Sequence, residues 1–347
     1  MDVIIVGGGV IGLSCAWRMA QRGAKVRVLE RRKCGEGATL ASLGALWPAA
    51  AGVDGPLQKM QRESLWGYEE FVREVEGASG GTIRFERRGR IELLRDEKAV
   101  ADARRDAAIA EESWPRGLRS EMGVVQEVVG PEVVEKIEPS VRAEGQCGVV
   151  CRITAQVRVE DLVAGLKGAC ERAGVVIEEG VAVTKVPSAE RVVLCTGAWT
   201  ALVDPAVTAA IKTKPAKGQG LALKTKGAVI SRIIKREKIY LVPWGEEILV
   251  GSTTEPEAGF DEGVTEAARA MLFEWACDIV PALKGAEIVR HWAGLRPDAR
   301  KHQPIMERLN GTNVWVCAGH FKTGIGLSAL VGRMMAERVL GADGASS

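Results

Sequence analysis

The sequence predicts an α/β fold, and three observations support this class. The chain opens with a β-branched strand, a glycine-rich loop and a helix, which is how a Rossmann-like βαβ unit begins. Two later stretches alternate strand-like apolar runs with turn glycines, which indicates antiparallel hairpins in a second part of the fold. A second glycine-rich loop and an apolar-faced helix close the chain.

Length and composition are those of a folded globular protein. The 347 residues suggest two domains, or one large α/β unit with an insertion, at about 150 residues per domain. Hydrophobic residues make up 46% and charged residues 27%, which argues against wholesale disorder. A net charge of +2 gives no strong field toward nucleic acid. No apolar stretch reaches the roughly 18 residues that a membrane span needs.

Histidine and cysteine usage argues against a metal centre and favours a reducing compartment. The three histidines, at positions 291, 302 and 320, are too few for a multi-histidine site, so we predict no metal. Most of the eight cysteines lie in apolar runs, which is typical of buried free thiols. Cys147 and Cys151 have C-x3-C spacing without a second pair, a weak signal. The segment Met1–Val6 is interpreted as a strand rather than a signal peptide, so we predict a cytoplasmic location.

The first thirty residues contain a complete dinucleotide-binding motif. Gly7 permits a tight turn, and Gly9 lets the backbone approach a pyrophosphate at the N-terminus of the following helix. Gly12 allows the helix to pack closely on the strand, and Gly23 ends that helix. Glu30 closes the second strand, where it can accept hydrogen bonds from a ribose hydroxyl.

The acid that ends the second strand narrows the choice of cofactor. A carboxylate at Glu30 would repel a ribose phosphate, which disfavours NADP, although Arg31 and Arg32 weaken that argument. A simple NAD domain continues with a second crossover helix and a third strand. Residues 34–48 are instead small and loop-like, which suits the close approach of a large planar ligand and favours FAD over NAD.

Three further motifs are more specific. Residues 192–199 are V-V-L-C-T-G-A-W, residues 292–297 are W-A-G-L-R-P, and residues 318–327 are A-G-H-F-K-T-G-I-G-L. On these motifs and the small-residue stretch, nearly the whole chain resembles the D-amino-acid oxidase superfamily of flavoproteins, most closely its glycine oxidase branch. The resemblance implies a Rossmann-like FAD-binding lobe of the GR2 type and an interleaved α+β substrate lobe with an antiparallel sheet.

The resemblance also implies how the chain holds FAD. The cofactor is expected to be non-covalent, because Cys317 is interpreted as strand interior rather than as a flavin attachment point. Backbone amides of the closing loop would stabilise the negative charge of a reduced flavin. The implied cofactor residues are Gly7, Gly9, Val10, Ile11, Gly12, Glu30, Arg31, Thr39, Ala41, Ser42, Gly44, Leu46, Val183, Gly197, Trp199, Arg296, Gly324, Ile325, Gly326 and Leu327.

The two lobes are predicted to interleave along the chain. The FAD lobe is assigned 1–82, 145–214 and 293–347, and the substrate lobe 83–144 and 215–292. Hairpins are predicted over 83–94, turning near Gly89, and over 238–250. Further expectations are strand-like residues 181–183, a surface helix over 96–112, an N-cap at Thr265 and a disordered tail over 341–347.

The implied reaction is FAD-dependent oxidation of glycine, sarcosine or a small D-amino acid to a 2-oxo acid, ammonia and hydrogen peroxide, with oxygen as acceptor. Arg296 would bind the substrate carboxylate through its guanidinium fork, the alternative being a surface salt bridge. The hydroxyl of Tyr240 would bond the same carboxylate, or the ring packs across strands. Lys322 replaces the arginine of the glycine oxidase pattern with a point charge, and Thr254 replaces its methionine.

Neighbouring residues and other functions complete these expectations. Trp47 and Trp244 either narrow the site or pack, and the ring of His320 is expected to hold its loop by a hydrogen bond. Alternative functions are a dehydrogenase that uses a quinone or dye, an FAD-dependent tRNA-modification enzyme, and a nucleotide-binding regulatory module without turnover. A homo-oligomer and a role in thiamine synthesis are implied by the resemblance alone.

Overall fold

The computed structural model describes residues 1–49, 55–113 and 124–341, so the tail over 342–347 lies outside the described residues. The strands are β1 (Asp2–Val6), β2 (Lys25–Glu30), β3 (Ala45–Leu46), β4 (Phe85–Glu86), β5 (Arg90–Leu93), β6 (Gln126–Val129), β7 (Gly148–Cys151), β8 (Ala155–Val157), β9 (Val176–Glu179), β10 (Arg191–Leu194), β11 (Thr213–Lys224), β12 (Ile233–Arg236), β13 (Ile239–Trp244), β14 (Glu247–Gly251), β15 (Glu287–Ala299), β16 (Ile305–Arg308) and β17 (Val314–Ala318). The helices are α1 (Val10–Gln21), α2 (Pro56–Trp66), α3 (Tyr68–Ser79), α4 (Glu97–Ser113), α5 (Pro131–Ile137), α6 (Val159–Arg172), α7 (Pro205–Thr208), α8 (Glu266–Ile279) and α9 (Gly324–Gly341).

A six-stranded sheet carries the predicted βαβ unit. Its strand order is β16-β17-β10-β1-β2-β9, and β1 pairs in parallel with both β2 and β10. Val3 and Ile5 of β1 face one hydrophobic cluster, and Ile4 and Val6 face another. Because both faces are buried, β1 consists almost entirely of apolar residues. Helix α1 packs against α6 and α9 on one face, which confirms the predicted α/β class.

An eight-stranded sheet forms the second part of the molecule, in the order β15-β11-β14-β13-β12-β5-β7-β6. The hairpin predicted over 238–250 is confirmed, because β13 and β14 pair antiparallel from Tyr240 opposite Gly251 to Trp244 opposite Glu247. The long strand β15 pairs antiparallel with β11. Thr265 caps α8 as predicted, since its Oγ1 accepts a hydrogen bond from the backbone of Ala268 at 3.3 Å.

The hairpin predicted over 83–94 is wrong. Gly89 does form a turn, with φ at 77°. However, β4 on one side pairs with β8 in a three-stranded sheet, whereas β5 on the other side pairs with β7 and β12 in the large sheet. The apolar alternation indicates that a strand is present, but not which strand it pairs with. The turn therefore moves the chain from one sheet to another.

Residues 181–183 also differ from the prediction, because they form no strand. Val181 and Val183 are partly buried against the Ile4 and Val6 face of the six-stranded sheet. Their apolar pattern therefore reflects packing on a sheet rather than pairing within one. The helix predicted over 96–112 is confirmed as α4, Glu97–Ser113.

The predicted lobes can be compared with sheet membership. All strands of the six-stranded sheet fall within segments assigned to the FAD lobe. However, β7 and the second half of β15, which were assigned to the same lobe, belong to the large sheet. The division into lobes therefore stays a prediction. Among the described residues, every helix is too short or too polar to cross a membrane.

Candidate functional site

A cavity of ≈ 780 Å³ extends from the glycine loop after β1 to the large sheet, and most of the predicted site residues line it. The size is within the ~300–1,000 Å³ range of cofactor sites. The substrate residues Arg296, Tyr240 and Lys322 all contribute to its wall. The predicted cofactor residues in the wall are Gly7, Gly9, Val10, Ile11, Glu30, Arg31, Thr39, Ala41, Ser42, Val183, Gly197, Trp199, Arg296, Gly324 and Ile325.

The remaining predicted cofactor residues lie behind the wall: Gly12, Gly44, Leu46, Gly326 and Leu327. A Cβ atom on Gly12 would collide with the carbonyl oxygen of Gly7, so this glycine serves the close helix packing expected of it. A Cβ on Gly44 would collide with the carbonyl of Val157. Leu46 and Leu327 are core side chains. These residues support the cavity rather than line it.

The N-terminus of α1 presents free amides to the cavity. Its N-cap is Gly9, whose backbone is extended and which has no side chain to cap the helix. Thr39 fills part of this role from a distant turn, because its Oγ1 accepts a hydrogen bond from the backbone of Val10 at 3.1 Å. The remaining first-turn amides and the helix dipole create a positive end suited to a pyrophosphate.

The carboxylate of Glu30 is fixed at the cavity end of β2. Its oxygens accept hydrogen bonds from the backbone of Gly8 at 2.7 Å and of Arg32 at 2.8 Å, and the residue is buried. A Cβ on Gly8 would lie 2.9 Å from Sγ of Cys34. Gly8 was not predicted to have a role, although its place inside the glycine loop was the available signal.

An arginine and a tryptophan form the wall beside Glu30. The guanidinium of Arg31 lies 3.7 Å from the ring centroid of Trp199, which is cation–π geometry. The ring of Phe260 lies 5.5 Å from that of Trp199. Both predicted residues therefore belong to one stack at this end of the cavity.

The small-residue stretch contacts β15 directly. Nε1 of Trp292 donates a hydrogen bond to the carbonyl of Ala41 at 3.0 Å. A Cβ on Gly294 would collide with the Cβ of Ala41. In the motif at 292–297 only the arginine was predicted to have a role. The contacts of Trp292 and Gly294 with the small-residue stretch over residues 34–48 were missed.

Arg296 lies in the cavity wall and forms no salt bridge with any described carboxylate, so no described residue supports the surface salt-bridge alternative. Nη2 donates to Oγ of Ser252 at 2.6 Å and to the carbonyl of Thr253 at 3.1 Å, and Nη1 donates to the carbonyl of Lys217 at 3.3 Å. A Cβ on Gly218 would collide with the guanidinium. Burial lowers the pKa of Arg296, and the nearby Tyr240 and Glu255 oppose that effect.

Gly218 and Ser252 were not among the residues predicted from the sequence. The signal for Gly218 was its position inside a strand, where glycine often marks the close approach of another group. Nothing in the local sequence indicated Ser252, because its contact depends on how β14 and β15 flank β11.

Tyr240 both packs and lines the cavity. Its ring meets that of Trp47 edge to face, with centroids 5.0 Å apart. Burial raises the pKa of the phenol, while the charge of Arg296 lowers it. The hydroxyl therefore stays protonated at neutral pH and can donate a hydrogen bond into the cavity.

The two departures from the glycine oxidase pattern meet in the structure. Nζ of Lys322 donates to Oγ1 of Thr254 at 3.4 Å. Partial desolvation in the cavity wall lowers the pKa of the exposed Lys322, with smaller contributions from the charges of Arg296 and Lys238. The lysine therefore lies within the electrostatic reach of the predicted carboxylate anchor.

His320 lines the cavity in neutral form. Burial lowers its pKa to about 4. Nε2 is buried and has no hydrogen-bond partner among the described residues, so the predicted loop-holding bond is not made by that atom. The backbone holds the loop instead, because the amide and hydroxyl of Thr323 donate to the carbonyl of His320 at 2.9 and 2.7 Å.

The eight cysteines are all free thiols, as predicted. Three of them converge beneath the cavity, where the Sγ atoms of Cys15, Cys195 and Cys317 lie within 4.8 Å of one another. Cys195 and Cys317 also reach the wall. Because these thiols come from three separate elements, their proximity could not be read from the sequence.

The donor set of the cavity fits the FAD that the sequence predicts. The remaining free amides at the N-terminus of α1 suit a pyrophosphate, and the fixed carboxylate of Glu30 suits a ribose hydroxyl. At the other end, α9 begins in the wall at Gly324, and its first-turn amides suit an electron-rich ring edge. The unpartnered Nε2 of His320 is a further polar atom available to a ligand.

Known proteins resemble this chain over nearly its whole length. The sequence model of the FAD dependent oxidoreductase family matches residues 2–338. Glycine oxidase of Geobacillus kaustophilus is 29% identical, over 97% of this chain and 92% of that protein. Its crystal structure superposes with a TM-score of 0.89 at 26% identity, over 98% of this chain and 94% of that one. Hydrogen cyanide synthase subunit HcnC of Pseudomonas aeruginosa is 28% identical, over 99% and 94%.

Proposed function

Because this chain belongs to the FAD dependent oxidoreductase family and is similar to glycine oxidase, we propose that it oxidises a small amino acid or amine. Glycine, sarcosine and small D-amino acids are the proposed substrates. The products are a 2-oxo acid, hydrogen peroxide and ammonia, or methylamine in place of ammonia for sarcosine, with one oxygen and one water consumed. The observation that carries this proposal is Arg296, a guanidinium in the cavity wall without an acidic partner among the described residues.

The arginine is positioned to receive a carboxylate. Ser252 and two backbone carbonyls accept hydrogen bonds from its nitrogens and hold the fork in place. Three of the five N–H donors of the guanidinium are used in these bonds, which leaves two to bind the carboxylate of the substrate and orient it. The protonated hydroxyl of Tyr240 supplies a further donor in the same wall. These groups orient the α-carbon, so their contribution is chiefly positional.

The groups near α9 set the charge around the reacting atoms. Bound FAD would supply the acceptor for the hydride that leaves the α-carbon of the substrate. The first-turn amides of α9, which begins at Gly324, would stabilise the negative charge that results. His320 stays neutral because its pKa is about 4, so it adds no charge of its own. No protein acid–base pair is needed for this step.

A substrate panel tests the proposal. Purified FAD-bound protein is mixed with glycine, sarcosine and D-amino acids, first without oxygen to follow bleaching of the visible flavin band, then in air to measure peroxide. We expect bleaching with at least one amine and none in Arg296→Met. Failure of every amine to bleach the flavin would reject the proposed function, and bleaching without peroxide would favour the dehydrogenase alternative.

The cofactor linkage and the compartment are part of the same proposal. FAD is proposed to be non-covalent, and acid precipitation that leaves the protein yellow would contradict this. Eight free thiols support a reducing, cytoplasmic location. Oxygen is the proposed acceptor.

A further inference from the structure

The substrate end of the cavity contains more positive charge than one carboxylate requires. The cations in its wall are Arg90, Lys235, Lys238, Arg296 and Lys322. The acids beside them are Glu92 and Glu237. In the proposed function Arg296 binds the single carboxylate of the substrate, which assigns no anionic partner to the other cations.

Both acids are already engaged in ion pairs. Glu92 pairs with Lys235 and lies 3.5 Å from Nε of Arg90. Glu237 pairs with Arg95 at 2.5 Å. Neither carboxylate is therefore left to balance the other cations in the wall.

Three cations of the wall form no ion pair with a described carboxylate. Within residues 1–49, 55–113 and 124–341, no carboxylate forms an ion pair with Lys238, Arg296 or Lys322. Lys238 and Lys322 are exposed, and Lys322 has only the neutral hydroxyl of Thr254 as a partner at 3.4 Å. The charges of Arg296 and Lys238 both lower the pKa of Lys322, so the three cations act on one another.

The cofactor does not supply the missing anion at this end. Its pyrophosphate is expected at the glycine loop, where the wall is formed by Gly7, Gly9 and the N-terminus of α1. The lysines instead lie near the predicted substrate anchor: Lys238 precedes Tyr240 by two residues, and Lys322 contacts Thr254, two residues after the Ser252 that Arg296 contacts. The unbalanced charge therefore belongs to the substrate end.

We propose that this cavity selects amines with two carboxylates, with Arg296 binding the first and Lys322 and Lys238 binding the second. The substrate class is the amino and imino dicarboxylates, such as D-aspartate, D-glutamate and iminodiacetate. This inference rests on the proposed function for turnover, but the anion site itself can be tested without turnover. A lysine ammonium is suited to the second position because it acts as a point charge and adapts to different chain lengths.

The binding test uses anions that cannot be oxidised. FAD-bound protein is titrated with acetate and with succinate, and the visible absorbance of the flavin reports occupancy. We expect succinate to bind about tenfold more tightly than acetate. The preference should fall below about threefold in Lys322→Met and in Lys238→Met. Lys322→Arg, which keeps the charge, should retain it, and Lys226→Met, on an exposed lysine outside the wall, should not alter it.

The turnover test separates this inference from the proposed function. We expect kcat/KM for an amino or imino dicarboxylate to exceed that for sarcosine, and the ratio to fall in Lys322→Met. Equal affinity for acetate and succinate, or a preference unchanged in both Lys→Met variants, overturns the inference even where sarcosine is oxidised. If no amine reduces the flavin, the proposed function fails, and the succinate titration still decides the dicarboxylate site.

Discussion

Arg296 occupies space that is free only because Gly218 has no side chain: a Cβ atom at position 218 would collide with the guanidinium. The two residues lie on the neighbouring strands β11 and β15. The position of the predicted carboxylate anchor is therefore determined by a glycine 78 positions earlier in the chain.

Gly218→Ala should displace the guanidinium from its present contacts. Since small misplacements of a positioning group are costly, we expect kcat/KM to fall by about 10- to 100-fold, mainly through a higher KM. FAD content should change little, because the substitution is on the substrate side. Gly285→Ala is the matched control, since a Cβ there meets no atom within 4 Å. Equal kinetics for the two variants would contradict the steric argument.

Gly294→Ala should weaken FAD binding. The new methyl group collides with the Cβ of Ala41 and pushes the small-residue stretch away from β15. We expect purified protein with a lower ratio of flavin to protein and a higher Kd for FAD. Ala41→Gly removes the opposing atom, so the double variant should recover most of the affinity. A double variant as weak as Gly294→Ala would show that another contact is responsible.

Thr39→Val should loosen the N-terminus of α1. The substitution keeps the shape of the side chain but removes the oxygen that accepts from the amide of Val10. Losing such a cap costs about 1 kcal/mol of unfolding free energy. Denaturant unfolding of the FAD-bound protein measures this loss, and FAD affinity should fall in parallel. Thr39→Ser retains the acceptor and should stay close to the wild type; a loss as large as that of Thr39→Val would argue against the cap.

His320 should make stability depend on pH. Its pKa is about 4 in the folded protein, against an ordinary value of 6.5. Between these two pH values the histidine is therefore mostly protonated in the unfolded chain and mostly neutral in the folded protein. This contribution to stability is complete above pH 6.5 and is lost as pH falls toward 4. By linkage, the cost at pH 5 is about 2 kcal/mol relative to pH 7.5.

The histidine effect is measured by comparison with His320→Gln, which cannot titrate. We expect the unfolding free energy of the wild type to fall more steeply between pH 7.5 and 5 than that of the variant. The difference between the two profiles isolates the titration of His320 from that of the carboxylates and the other histidines. Parallel pH profiles would mean that the buried ring does take up a proton.

The first βαβ unit could be predicted from the sequence because its parts are close together in the chain. The glycine loop, α1 and Glu30 follow one another within thirty residues, so their arrangement could be predicted from spacing alone. The pairing of a strand with its neighbours in a sheet is different, because it depends on residues far apart in the sequence. This is why the turn at Gly89 was identified while its two flanking strands were assigned to the same hairpin.

The same distinction applies to the candidate site. Arg296 and the closing loop stand in recognisable motifs, and the structure places both in the cavity wall. Gly218 lies in β11, Ser252 directly after β14, Lys238 in the turn between β12 and β13, and Lys322 in the loop between β17 and α9, so that only the complete fold brings them together. Their roles depend on strand order and register, which no single stretch of the sequence encodes.

Strand β15 links two binding events. Within five residues it contacts the small-residue stretch at Ala41 through Trp292 and Gly294, and it carries the predicted carboxylate anchor Arg296. If a bound cofactor and a bound carboxylate favour the same position of this strand, each tightens the other. Thermodynamic linkage requires the two factors to be equal, so a carboxylate that binds more tightly to the FAD-loaded protein must retain FAD by the same ratio. Such an enzyme would lose its cofactor most readily when it has no substrate.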